Sequence, residues 1–436
     1  MAFRRVRTLL FWSHLTAGVL AGAIILIMSA TGAILAFKPQ IMNRVDADVR
    51  VVEPIPSPRI GPSALIGAAR AERPDASPVS FTLDRDPTAA AAIGMGREGT
   101  LYVNPYTGAV VGTGSEAAEA FFRSVENWHR WLAVSGENRQ AARSVTGAAN
   151  LVFLLLAISG IYIWWPRKWT PQHTSPILFF KRAQTTRARD FNWHNVIGFW
   201  CAPAIVVMTF SGVVMSYPWA NSMMSRALGS TPPNQASDRV AGGAVRPGGV
   251  GREAGQREQT TVVPEQLDAL WDQAEQRVPT WRTIIARFPS RAGNPVVFTF
   301  SDGASWNRFA RSQLMLDAAS GEVRQWQPYE AGSRGQKARG WLRFAHTGEL
   351  GGPAGQLIAG LGCLGGVFLV WTGLSLALRR FLNWQLWSGR KMTLTFAEAT
   401  GAISDDGGVR VGVRRDRVDG QRSADERAHR ERRSSI

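Results

Sequence analysis

The chain has 436 residues, of which 45% are hydrophobic and 17 are tryptophan, and its formal net charge is +17. That length suits two or three soluble domains or a membrane bundle with sizeable loops. A mean hydropathy of -0.09 excludes a chain buried in lipid throughout, and cations gathered beside apolar runs and in the C-terminal tail exclude a nucleic-acid footprint.

Four segments are long and apolar enough to cross a bilayer: Leu15–Phe37, Val145–Trp165, Val196–Tyr217 and Gly355–Leu378. The first follows Arg4, Arg5 and Arg7 but lacks an A-x-A cleavage site, so it reads as a retained anchor rather than a signal peptide. Tryptophans beside the spans suit the membrane interface. The stretch 166–190 carries six Lys/Arg against Asp190, and Arg379, Arg380, Arg390 and Lys391 follow the last span. The charge rule then places both termini and the 166–195 loop in the cytoplasm of a bacterial inner membrane, with 38–144 and 218–354 periplasmic. Arg334, Lys337, Arg339 and Arg343 pull the other way, but long translocated segments obey that rule weakly.

The fold class expected is therefore an α-helical bundle of four transmembrane helices with α+β periplasmic domains. The two outer segments read as copies of one small domain. Ser63–Arg70 and Pro264–Arg277 are helical in pattern, each followed by strand-like stretches and a hairpin, Asn104 to Gly108 in one copy and Asp317 to Gly321 in the other. Residues 229–259, rich in Gly, Pro, Ala and Arg, read as a flexible insertion. The tail from about 404 reads as disordered.

Of six histidines, four lie at or beside the ends of the spans, one per span: His14, His129, His194 and His346. The topology sorts them by depth, His14 with His194 toward the cytoplasm and His129 with His346 toward the periplasm. Counted from each histidine, the first and third spans repeat: Gly18 matches Gly198, Ala21 Cys201, Ile25 Ile205, Met28 Met208 and Gly32 Gly212. At about 100° per residue these positions lie within about 40° of the histidine's direction. A porphyrin needs such a stripe, with an imidazole toward the iron and glycine, Gly18 or Gly198, one turn away. The second and fourth spans share the spacing Gly147/Gly160 and Gly360/Gly373.

A lone interfacial histidine is more often a hydrogen-bonded anchor. Four, one per helix and paired by depth, point to ligation, because ionisable groups in a bilayer are costly and usually functional. Haem is favoured over zinc or copper, since neither Cys nor carboxylate accompanies the histidines. Cys201 and Cys363 read as small buried hydrophobes, Met28 and Met208 as packing, and His173 and His429 as solvated. Arg130, Arg143 and Arg343 suit either haem propionates or lipid phosphate.

Trp128-His129-Arg130-Trp131-Leu132, Asn192-Trp193-His194-Asn195, Tyr102-Val-Asn-Pro-Tyr-Thr-Gly108 and the pairs Thr146-Gly147 and Ser159-Gly160 resemble the PepSY-associated transmembrane proteins, also called iron-regulated or iron-uptake membrane proteins. The resemblance covers roughly residues 1–395. It implies a ferric-siderophore reductase with two b-type haems, His14/His194 and His129/His346 as axial ligands, and a ferric siderophore as periplasmic partner. The electron donor would be quinol or a cytoplasmic reductase, since no GxGxxG fingerprint follows a strand. Two alternatives stay open: a non-redox PepSY module that binds peptides or restrains a protease, and a haem protein with another acceptor, such as copper, quinone or a partner cytochrome.

Overall fold

The computed structural model describes residues 2–166, 168–231, 261–291, 293–302, 307 and 309–401, the side chains of 2–4, 97 and 385–401 aside. Apart from 229–231, the expected insertion at 229–259 lies outside the described residues, as does the tail from 404. The chain divides into two units, residues 1–377 and 378–436. The described part of the second is the helical stretch up to Gly401.

Uninterrupted apolar sequence becomes long helix. The elements are α1 (Ala2–Leu35), α2 (Lys38–Val45), α3 (Ala47–Arg50), α4 (Pro62–Glu72), α5 (Glu116–Trp131), α6 (Arg139–Trp164), α7 (Pro171–Leu178), α8 (Thr186–Ser216), α9 (Pro218–Ala227), α10 (Leu267–Arg277), α11 (Arg334–His346) and α12 (Gly352–Gly401). Four stretches are long and apolar enough to cross a membrane: Arg5–Leu35, Gly136–Trp164, Thr186–Ser216 and Glu349–Trp384. The helices overrun the apolar segments. α1 starts at Ala2 and α8 at Thr186, so His14 and His194 sit well inside their helices rather than opening them. Arginine-rich flanks are good helix formers and extend what the apolar core nucleates.

The strands are β1 (Ser80–Asp84), β2 (Ala91–Gly94), β3 (Thr100–Val103), β4 (Val110–Thr113), β5 (Trp281–Arg287), β6 (Val296–Asp302), β7 (Arg311–Leu316) and β8 (Val323–Gln327). Two copies are present, but they do not stand apart. They merge into one antiparallel eight-stranded sheet ordered β4-β3-β2-β1-β5-β6-β7-β8. The seam pairs the first strand of each copy, with Thr82 opposite Ile285 and Asp84 opposite Thr283. One core runs under both copies: Leu65, Ile66 and Phe81 from the first with Leu270, Trp271, Phe298 and Phe300 from the second. Phe81 meets Trp271 edge-on at 5.0 Å between centroids. Each such buried side chain contributes about 1.5–3 kcal/mol, which joins the copies more firmly than the strand seam alone.

The hairpin turns are the same device twice. Asn104 Oδ1 accepts from the Tyr106 amide at 2.9 Å, and Asp317 Oδ1 accepts from the Ala319 and Ser320 amides at 2.9 Å. Each turn closes on a glycine at φ 73°, Gly108 or Gly321, where a side chain would be strained.

Candidate functional site

Every span carries one Ser/Thr-Gly dipeptide whose hydroxyl holds a histidine from another helix. In the first half, Ser159 Oγ of α6 lies 2.9 Å from His14 Nδ1, and Thr31 Oγ1 of α1 lies 3.0 Å from His129 Nδ1. In the second half, Thr372 Oγ1 of α12 lies 2.9 Å from His194 Nδ1, and Ser211 Oγ of α8 lies 3.0 Å from His346 Nδ1. Within each half, one end pairs a histidine of the first span with a hydroxyl of the second, and the other end pairs a hydroxyl of the first span with the histidine of the short helix that precedes the second, α5 or α11.

These contacts set the tautomer of His129 and His346, where main-chain carbonyls also accept, and favour the same one at His14 and His194. Each hydroxyl has one proton and spends it on its own helix: Thr31 donates to the Ile27 carbonyl at 2.6 Å, Ser211 to Val207 at 2.7 Å, Thr372 to Phe368 at 2.7 Å and Ser159 to Leu156 at 3.2 Å. The hydroxyl oxygen is left to accept from the imidazole, so Nδ1 carries the hydrogen and Nε2 keeps a lone pair. Main-chain carbonyls make the same demand: His129 Nδ1–H donates to Met28 at 3.0 Å and His346 Nδ1–H to Met208 at 2.8 Å. A carbonyl can only accept. Nδ1–H anchored on a carbonyl with Nε2 directed outward is the arrangement of a metal-binding histidine.

Of the glycines that follow the hydroxyls, Gly32 leaves the tightest gap for its imidazole. A Cβ on Gly32 would stand 3.3 Å from His129 Cε1, and one on Gly160 or Gly373 would stand 3.5 Å from Cε1 of His14 or His194. Gly212 serves differently, since its Cβ would meet Asn150 Nδ2 at 2.8 Å.

The structure brings His129 and His346 together, with ring centroids 6.4 Å apart. A metal held between two imidazoles by bonds of about 2 Å separates the ring centroids by roughly 6 Å, so the spacing fits. Burial first, and the His346 imidazole second, hold His129 down to about 4; burial lowers His346 as well. Both shifts favour the neutral ring, as ligation requires. His14 and His194 are close enough to interact electrostatically. On α1 and on α8, seventeen residues separate the histidine from the hydroxyl of the other level, which is about 25 Å of helix.

Other expected site residues fall less neatly. Gly18 faces open space, with no heavy atom within 4 Å of an added Cβ, whereas Gly198 packs on Leu369 Cδ2 at 3.5 Å. Arg130 is engaged by Glu126 at 3.1 Å and lies over the Trp131 ring. Arg343 lies over Phe344, and Arg143 is exposed. The sulfur of Met208 lies 3.8 Å from Cys363 Sγ, and both cysteines are free. Among the described residues, no group of three or more His, Cys, Asp or Glu side chains is placed to hold a metal ion, so any metal here would rest on histidine pairs.

Sequence reasoning missed the roles of Thr31, Ser159, Ser211 and Thr372. The signal lies in the sequence: each of Gly32, Gly160, Gly212 and Gly373 is preceded by a hydroxyl residue.

A comparison with curated proteins finds no match. The family model described as the PepSY-associated TM region matches residues 11–380. Four apolar helices, an antiparallel sheet domain and this match across most of the chain make it a membrane protein belonging to the PepSY-associated transmembrane family.

Proposed function

We propose that the protein is a di-haem b-type electron-transfer protein of a bacterial inner membrane that reduces a ferric siderophore on its sheet side, with His14/His194 and His129/His346 as axial ligand pairs. The observation that carries this reading is the pair His129 and His346, 6.4 Å apart with both Nδ1 atoms committed elsewhere. Haem bound there supplies one-electron chemistry at a potential set by ligands and burial. The chain's own residues orient the imidazoles, keep them neutral and shield them from water. Two levels about 25 Å apart suit the two faces of a hydrocarbon core about 30 Å thick. The cations of 166–190 support a cytoplasmic end opposite the sheet, with both termini on that side.

The substrate class follows from ligand softness. Hard oxygen donors hold Fe(III) far better than Fe(II), so a ferric chelate that gains one electron loosens its iron. The electron donor in this reading is quinol or a cytoplasmic reductase.

The test is a visible spectrum of the purified protein, oxidised and dithionite-reduced, with haem counted per chain. Two low-spin haems are expected. A colourless protein overturns the reading in favour of a peptide-binding or protease-restraining module. Stopped-flow reoxidation by ferric chelates then tests the substrate. Reoxidation only by copper, quinone or a cytochrome would replace the siderophore with another acceptor.

A further inference from the structure

A cleft of about 370 Å³ lies apart from the histidine site. It is lined by Arg7, Trp164, Trp165, Lys168, His173 and Ile177, with Pro166 at its edge. α1, the end of α6 and α7 contribute its walls, at the end of the bundle away from the sheet. Trp164 lies five residues beyond Ser159, the hydroxyl that holds His14, or about 7.5 Å along α6. Arg7 lies seven residues before His14 on α1, or about 10 Å of rise. The cleft therefore lies within about two helical turns of the His14 level.

Its lining is amphipathic in a particular way. Trp164 and Trp165 lie nearly parallel, at 28° with centroids 5.7 Å apart, and present flat aromatic surface. Trp164 is braced from behind by Phe199, edge-on at 5.2 Å. Trp165 and Trp169 are 52% and 65% exposed, as suits the level where lipid tails give way to headgroups. Against this surface stand three donors. The Arg7 guanidinium also donates to the Ile163 carbonyl, which fixes it at the end of α6. His173 Nδ1 is 2.7 Å from Thr170 Oγ1, which sets its ring, and Nε2 is its second hydrogen-bonding atom. Lys168 supplies an ammonium.

A flat conjugated ring stacks on indole, and oxygens at its opposite edges need donors on separate sides. The volume lies in the range of small-molecule sites, about 300–1,000 Å³. A bare phosphate needs the cations but has no use for the aromatic floor. We propose that this cleft binds the headgroup of a membrane-soluble quinone or quinol, with Trp164 and Trp165 as the stacking surface and Lys168 and His173 as hydrogen-bonding groups to the ring oxygens. The proposal rests on the electron-transfer reading for its purpose, since it supplies the donor site which that reading lacks, but binding itself requires no haem.

The experiment is photolabelling of the full chain in nanodiscs with an azido-benzoquinone carrying a short alkyl tail, mapped by mass spectrometry. Label is expected within residues 164–177, displaced by excess unlabelled quinone. The double variant K168A/H173A, altered at two exposed positions, should weaken labelling about tenfold, the loss of about 1.4 kcal/mol of hydrogen bonding. Label scattered over the lipid-facing surface, or unchanged by competitor and by the variant, overturns the proposal. Label displaced by phosphatidylglycerol but not by quinone overturns it too, and makes the cleft an anionic-lipid site. The two readings fail separately: a haem-free protein that labels here keeps the cleft and loses the haem, and a haem protein that does not label does the reverse.

Discussion

Ser159 Oγ sits 2.9 Å from His14 Nδ1 and is the single acceptor found for that ring nitrogen among the described residues, whereas His129 Nδ1 has both Thr31 Oγ1 and the Met28 carbonyl. The two histidines therefore differ in how much they lose with their hydroxyl. On the proposed di-haem reading, Ser159→Ala should weaken haem retention at the His14 level by 10-fold or more, a typical cost of removing the group that orients a ligand. Thr31→Val should cost less, because the carbonyl remains. Ser159→Thr and Thr31→Ser should restore wild-type behaviour. Haem transfer to a scavenging apoprotein, together with the midpoint potential of each haem, measures this; equal effects of S159A and T31V would contradict it.

Ligand assignment is tested by subtraction. His14→Ala or His194→Ala should remove about half of the bound haem, and His129→Ala or His346→Ala the other half. The measurement is a pyridine haemochrome count on each purified variant. Loss of all haem from every single variant would contradict two independent sites.

Gly32→Ala is expected to destabilise, because its Cβ would lie 3.0 Å from Cys363 Sγ and 3.3 Å from His129 Cε1, both on packed side chains. Overpacking of this kind costs about 1–3 kcal/mol. Gly160→Ala and Gly373→Ala meet their imidazoles at 3.5 Å, an ordinary contact, and should be tolerated. Thermal unfolding in detergent, followed by near-UV dichroism, separates the two classes.

Asp317 performs in the second hairpin what Asn104 performs in the first, with an added ion pair to Arg324. The Arg324 guanidinium first, and the Ser320 and Ala319 amides next, hold its carboxyl well below the usual range. A depressed carboxylate contributes stability above its unfolded value, near 4, and loses it as pH falls toward the folded value. Asp317→Asn should keep the turn, as Asn104 does, and remove that acid dependence. Asp317→Ala should lose the turn bonds as well. Melting temperatures of the three proteins at pH 7 and pH 3.5 decide the matter.

The four spans were legible because twenty apolar residues have few other uses, and the histidines stood out because so few are present. The turns at Asn104 and Asp317 were legible because their chemistry is local. The hydroxyl latches were not, since Ser and Thr beside Gly in an apolar helix read as packing residues until the partner is seen. Nor was the common sheet: β1 and β5 are some 200 residues apart, and nothing within either strand names its neighbour. Gly198 shows the same limit, because a stripe of small residues says that something approaches closely without saying whether it is a ring or Leu369.

The seam between β1 and β5 has a consequence for how the site is counted. Like strand meets like strand there, as in an isologous interface, and the same relation carries His129 onto His346 and Thr31 onto Ser211. The sheet has the order of a two-fold dimer written in one chain. A ligand pair such as His129 and His346 is then one residue used twice, and a group held between them would sit on the pseudo-axis.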